Sequence, residues 1–156
     1  MWIKFLLSGL IVAFCIFLGY LAAGKYRVRM KFYSQFSMFN ERYLTELCYA
    51  RKPLSDFLRE YEYAGDFEKL LRSYAFERNR DGIKLRYLTE SENKECDDYF
   101  SELGKGDTVS QKNYFSSRKL ILEEKRAASE RESKRHSELY IKLGLLGGLA
   151  FVILIV

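Results

Sequence analysis

Proline, histidine and cysteine are scarce in this sequence, and each shortage excludes something. A single proline, Pro53, in 156 residues leaves long stretches without a helix breaker. With abundant Leu, Glu, Lys and Arg, this favours helices over a β-sandwich. A single histidine, His136, excludes a three-histidine or Cys/His zinc site unless carboxylates dominate it. Its place in a run of charges predicts a solvated helix face. Cys15, Cys48 and Cys96 lie too far apart for metal-ligand or redox spacing. Cys15, inside an apolar stretch, and Cys48, beside Leu44 and Leu47, read as small core hydrophobes. Charge is missing altogether between Phe5 and Ala23.

What is present is an apolar stretch at each end and a polar middle, which the mean hydropathy of −0.24 averages away. Phe5 to Ala23 has the length of a spanning helix, which needs about 20 apolar residues. Trp2 and Tyr20 stand near its ends, where amphipathic rings favour the interface. A cleaved signal peptide is the rival reading, and Ala22-Ala23-Gly24 would pass as its cleavage site. The apolar run is longer than the usual signal core of about 7–15 residues, however. Lys25, Arg27, Arg29 and Lys31 follow it, and positive charge keeps its side of the membrane cytoplasmic. A retained anchor is expected.

The tail mirrors this arrangement. Leu143 to Val156 is short for a span, but Leu139, Tyr140 and Ile141 extend it while Lys142 snorkels to the headgroups. From Leu139 onward the helix measures about 27 Å, most of a hydrocarbon core of about 30 Å. Cys15, Gly19 and Ala23 form one small-residue stripe, and Gly144 and Gly148, with Gly147 beside them, form another. Such stripes let membrane helices approach closely, so these six residues are the candidate packing positions, paired within the chain or between copies. With both ends spanning, the two termini lie outside and the middle is cytoplasmic.

The middle is helical by periodicity. Val28 to Ala50 places Phe32, Phe36, Phe39, Tyr43, Leu44, Leu47 and Cys48 at spacings of three and four. Pro53 opens a second helix that fades at Ala64-Gly65. Asp66 caps a third. Asn79 to Gly82 is a turn cluster, and Ile83 to Leu88 fits a helical turn or a strand equally. Thr89 with Glu92 forms a capping box for a helix that Gly104 can end. Asp107 or Thr108 caps the last helix. Its stretch from Glu123 to Glu138 is charged nearly all round, the mark of a solvent-bridging stalk, about 25 Å long.

The fold class is therefore all-α: a membrane-anchored small helical bundle with N-terminal and C-terminal transmembrane helices and a long charged last helix. Three parts are expected: a transmembrane helix over 1–24, a cytoplasmic bundle over 25–138 whose stalk helix runs from 108 to 138, and a transmembrane helix over 139–156. The acids Glu92, Glu95, Asp97 and Asp98 are the one cluster that suggests an enzyme, but neighbours on a helix point apart. No catalytic, cofactor or metal residue is assigned. The net charge of +5 suits an anionic membrane surface better than nucleic acid, because the basic residues of the middle alternate with acids.

Three blocks of the sequence resemble the stage III sporulation protein AB family. They are Tyr43-Leu44-Thr45-Glu46-Leu47 through Pro53-Leu54 and Phe57-Leu58, then Leu88-Thr89-Glu90 through Phe100 and Leu103-Gly104, then Asp107 to the C-terminus. The most specific piece is Lys142-Leu143-Gly144-Leu145-Leu146-Gly147-Gly148-Leu149. Gly65 to Arg86 departs from the pattern, being shorter and more polar. The resemblance implies a component of the channel between mother cell and forespore, with a soluble part like the platform protein of type II secretion and type IV pilus machines. It implies residence in the mother-cell membrane beside an ATPase of the stage III sporulation protein AA type.

Overall fold

A computed structural model describes residues 2–49, 53–76 and 83–155. Among these residues it contains six helices: α1 Trp2–Ala22, α2 Gly24–Tyr49, α3 Leu54–Glu60, α4 Asp66–Phe76, α5 Glu90–Ser101 and α6 Thr108–Ile155. No strand occurs among the described residues. The chain forms two compact units, one of residues 29–127 and one of 1–28 with 128–156.

The unit of 29–127 is a bundle with an aromatic core. The spacing of three and four along α2 buries Phe32, Tyr33, Phe36, Phe39 and Tyr43 on one face. Phe57, Tyr63, Phe67, Tyr99, Phe100 and Phe115 meet them from the other elements. The rings pack edge-on in the main, as their quadrupoles favour: Phe36 and Tyr99 lie 4.7 Å apart at 89°, and Tyr43 and Phe115 4.9 Å apart at 87°. Cys48, expected in this core, is exposed instead, because it falls one residue from the end of α2 and off the aromatic face.

Helix ends follow local chemistry. Thr89 and Glu92 form the expected capping box, with the Glu92 N–H donating to Thr89 Oγ1 at 3.2 Å and the Thr89 N–H to Glu92 Oε2 at 2.9 Å. Asp107 is the cap of α6, its Oδ2 accepting from the N–H groups of Val109 and Ser110. Gly104 takes φ +71° after α5, and a β-carbon there would stand 2.9 Å from Leu54 Cδ2. Three boundaries differ from expectation. Helix α2 starts at Gly24, four residues before Val28. Helix α3 stops at Glu60, since Tyr61 turns to extended backbone at φ −113°, ψ 129°. Asp66 lies inside α4, and Gly65 supplies the carbonyl that begins it. The turn expected at Asn79 to Gly82 lies outside the described residues. Residues 83–88 form neither helix nor strand. Asn93 holds them from α5, accepting from the Leu85 N–H at 2.9 Å and donating to its carbonyl at 3.2 Å, with Leu85 and Leu88 buried.

The second unit is an antiparallel helix pair. Its first arm is α1 and the start of α2, which continue one another through Ala23: the Ala23 N–H bonds to Gly19 and its carbonyl accepts from Arg27. Its second arm is α6 from residue 128 onward. Leu6, Leu10, Phe14, Leu146, Phe151 and Ile153 point outward and are exposed. Both arms are long and apolar enough to cross a membrane.

Candidate functional site

The small residues lie along the seam of the helix pair. A β-carbon on Gly144 would come within 2.6 Å of the Cys15 carbonyl oxygen, and one on Gly148 within 3.0 Å of Val12 Cα. A β-carbon on Gly19 would collide with the carbonyl of Tyr140. Ala23 is 1% exposed. At the three glycines one backbone rests on the other with almost no side chain between them. Gly147 is different, with nothing within 4 Å of its would-be β-carbon. The structure brings Gly19, Cys15, Gly144 and Gly148 together across the pair, buries Ala23, and leaves Gly147 with open space.

The seam runs on into the charged stretch of α6. Ser129 and Ser133 are buried there, at 2% and 4% exposure, at spacings of four that lead toward Gly144. The segment read as a solvent-bridging stalk thus presents a buried strip of serines. His136 is half-buried rather than solvated, with its ring stacked on Tyr26 at 3.9 Å and 9°. Hydropathy missed this strip because serine scores as polar. The signal that could have found it is size: Ser129, Ser133, Gly144 and Gly148 are all small and share one face.

The acidic cluster of α5 does not converge. Glu92 accepts from Arg29 Nη2 at 2.6 Å, from the Tyr33 hydroxyl at 2.8 Å and from the Thr89 backbone. Burial raises its pKa, but these donors outweigh burial and hold the carboxyl below its ordinary value. Glu95 pairs with Lys125, and Asp97 accepts from the Tyr74 hydroxyl. Burial first, and then these carboxylates, push the Tyr33 and Tyr74 hydroxyls up. Burial also pushes the Cys96 thiol up to about 12, which leaves it protonated and unreactive at neutral pH. No group of three metal-ligating side chains occurs among the described residues. These acids pin α5 to α2, α4 and α6.

Two further polar residues were not foreseen. Asn40 is fully buried, donating to the Phe115 carbonyl at 3.2 Å and accepting from the Tyr99 hydroxyl at 2.9 Å. Gln111 accepts from the Tyr43 hydroxyl at 2.7 Å and donates to the carbonyls of Glu102 and Lys105, which ties the 102–105 turn to α6. In the sequence both pass for surface amides. What distinguishes them is chiefly partners 59–75 positions away.

A helix pair apolar on its outer face, and a bundle in which Asn40, Gln111, Glu92, Glu95 and Asp97 serve the fold, define a membrane-associated all-helical protein with two candidate membrane-spanning helices. The sequence profile of the stage III sporulation protein AB family matches residues 67–156, more than half of the chain, so the chain belongs to that family and its role lies in stage III of sporulation. The match takes in the second and third resembling blocks; the first lies upstream of it. No curated protein and no solved structure matches the chain. The family is one of sporulation assembly proteins and is not a known enzyme family.

Proposed function

We propose that the chain is a membrane platform of the mother cell–forespore channel, acting by assembly and not by catalysis. It crosses the membrane twice with both termini outside. Residues 1–24 and 139–156 form the spans, and 25–138 is the cytoplasmic bundle with its stalk helix from 108. The bundle docks an ATPase of the stage III sporulation protein AA type or another channel subunit. Cys15, Gly19 and Ala23 pack the first span against Gly144 and Gly148 of the second. Gly147 lies off that seam and is left for a neighbouring helix.

Family membership carries this reading. It is supported by the positive residues that follow the first apolar helix, which favour a cytoplasmic middle, and by the structural partners that occupy Glu92, Glu95 and Asp97. Deleting the gene in its source organism is the test. Engulfment that completes, followed by forespore failure and loss of heat-resistant spores, is the expected outcome. Normal spores, or rescue by a bundle lacking both anchors, overturn the platform. Topology has its own check. Exposed Cys48 reacts with a membrane-impermeant maleimide only after the cytoplasmic side is opened; labelling of intact cells reverses the orientation.

A further inference from the structure

The helix pair carries a collar of cations and aromatic rings toward one end, across 20–28 and 134–142. In the first arm the Arg27 guanidinium lies 3.5 Å above the Tyr20 ring and donates to the Tyr20 carbonyl, and Lys25 Nζ lies 5.0 Å from the centroid of Tyr26. Tyr26 stacks on His136 of the second arm, and Tyr140 follows at 6.1 Å from His136. That stack brings Lys134 and Arg135, both exposed, to the same end of the pair as Lys25 and Arg27, while Lys142, also exposed, lies about 12 Å nearer the apolar end than Lys134. Across 20–28 and 134–142 there are five cations and one acid, Glu138. Glu130 and Glu132 lie one turn further from the apolar end.

Toward the apolar end of the pair the outward face is apolar on both arms, with Phe17, Leu18 and Leu21 on one and Leu143, Leu145 and Leu146 on the other exposed. A patch that is cationic at one edge and apolar at the next matches a molecule with an anionic head and hydrocarbon chains. Arg, Lys and Tyr are also the side chains that settle at the headgroup level. Topology alone would need only the positive charges. It would not need Arg27 and Lys25 drawn onto the Tyr20 and Tyr26 rings.

We infer that this collar binds the headgroup phosphate of an anionic phospholipid of the phosphatidylglycerol class, with the acyl chains lying along the apolar face. The inference rests on the spanning reading above. It adds a lipid ligand shared by the two helices to a protein otherwise argued to bind proteins.

The experiment reconstitutes the full chain into mixed phosphatidylcholine–phosphatidylglycerol nanodiscs, extracts it gently and counts retained lipids by native mass spectrometry. Retained phosphatidylglycerol is expected to exceed its bulk share and to fall as salt rises. Lys25→Gln is expected to lower the enrichment by up to about fivefold, the worth of one juxtamembrane cation. Combining Lys25→Gln, Arg27→Gln, Lys134→Gln and Arg135→Gln is expected to abolish it. Arg27→Lys, which keeps the charge and fold but not the planar fork, is expected to weaken it partially. Retention in the bulk ratio by a fully inserted chain overturns the inference and leaves the span intact. Enrichment equally lost to inorganic phosphate shows a free-anion site and also overturns it. A chain that floats free of the nanodisc overturns the spanning reading itself.

Discussion

The unit of 1–28 with 128–156 is packed through its smallest residues, and the unit of 29–127 through its largest. In the first, Gly19, Gly144 and Gly148 set backbone on backbone. In the second, Phe39, Phe67 and Phe115 are each fully buried among other rings. The proposed membrane setting of the helix pair accounts for the difference. In water, apolar area removed from solvent drives association, and large rings supply most of it per residue. Between apolar helices in lipid that drive is absent, and close contact made possible by small residues replaces it. One helix, α6, serves both purposes, with Phe115 and Leu122 in the bundle and Gly144 and Gly148 in the pair.

Substitutions should separate the two modes. The largest effect is expected in the bundle, where Phe39→Ala removes a fully buried ring and costs about 4 kcal/mol. The loss is read as a fall in the thermal midpoint of the bundle in detergent; an unshifted midpoint would show that Phe39 is not central. Asn40→Ala strands the Tyr99 hydroxyl and the Phe115 carbonyl and is expected to cost about 2 kcal/mol on the same assay.

In the helix pair the same logic runs in reverse, because adding atoms does the harm. Gly144→Leu has no room against the Cys15 backbone and is expected to cost about 2 kcal/mol. Gly147→Leu, with open space around it, is expected to be silent in the same protein. Equal effects of the two would remove the seam from the account. The register has a sharper test. A β-carbon at Gly148 lies 3.4 Å from Cys15 Cβ, close to disulfide spacing. Gly148→Cys should cross-link to Cys15 under mild oxidant in a Cys48→Ser background, and Gly147→Cys should not.

The smallest effect concerns acid. The Glu92 carboxyl is held below its ordinary value in the folded bundle, so its contribution is complete above the ordinary carboxylate range. It is lost as pH falls through the lowered folded value. Glu92→Gln is expected to cost about 1 kcal/mol at neutral pH and to flatten the acid limb of the stability curve. An unchanged acid limb would show that the Arg29–Glu92 contact does not hold in solution.

Much of this architecture is legible in local sequence. Two uncharged apolar runs are visible as lengths, the aromatic face of α2 as a period, and the caps at Thr89 and Asp107 as side chains within three residues of the groups they satisfy. The glycine stripes could also be read, since small residues repeat every four positions. Each of these depends on contacts no more than a few residues apart.

Folding decided the rest, because the deciding contacts join distant positions. Spacing alone left open whether the stripe at Cys15 and Gly19 meets Gly144 within the chain, and which glycine of the tail points away. Nothing local marks Asn40 and Gln111 as buried, or Ser129 and Ser133 as parts of a seam inside a run of charges. A polar side chain is buried only where a partner or a close backbone awaits it. That partner is supplied when α2 and α6, some 75 residues apart at Asn40 and Phe115, come to lie side by side.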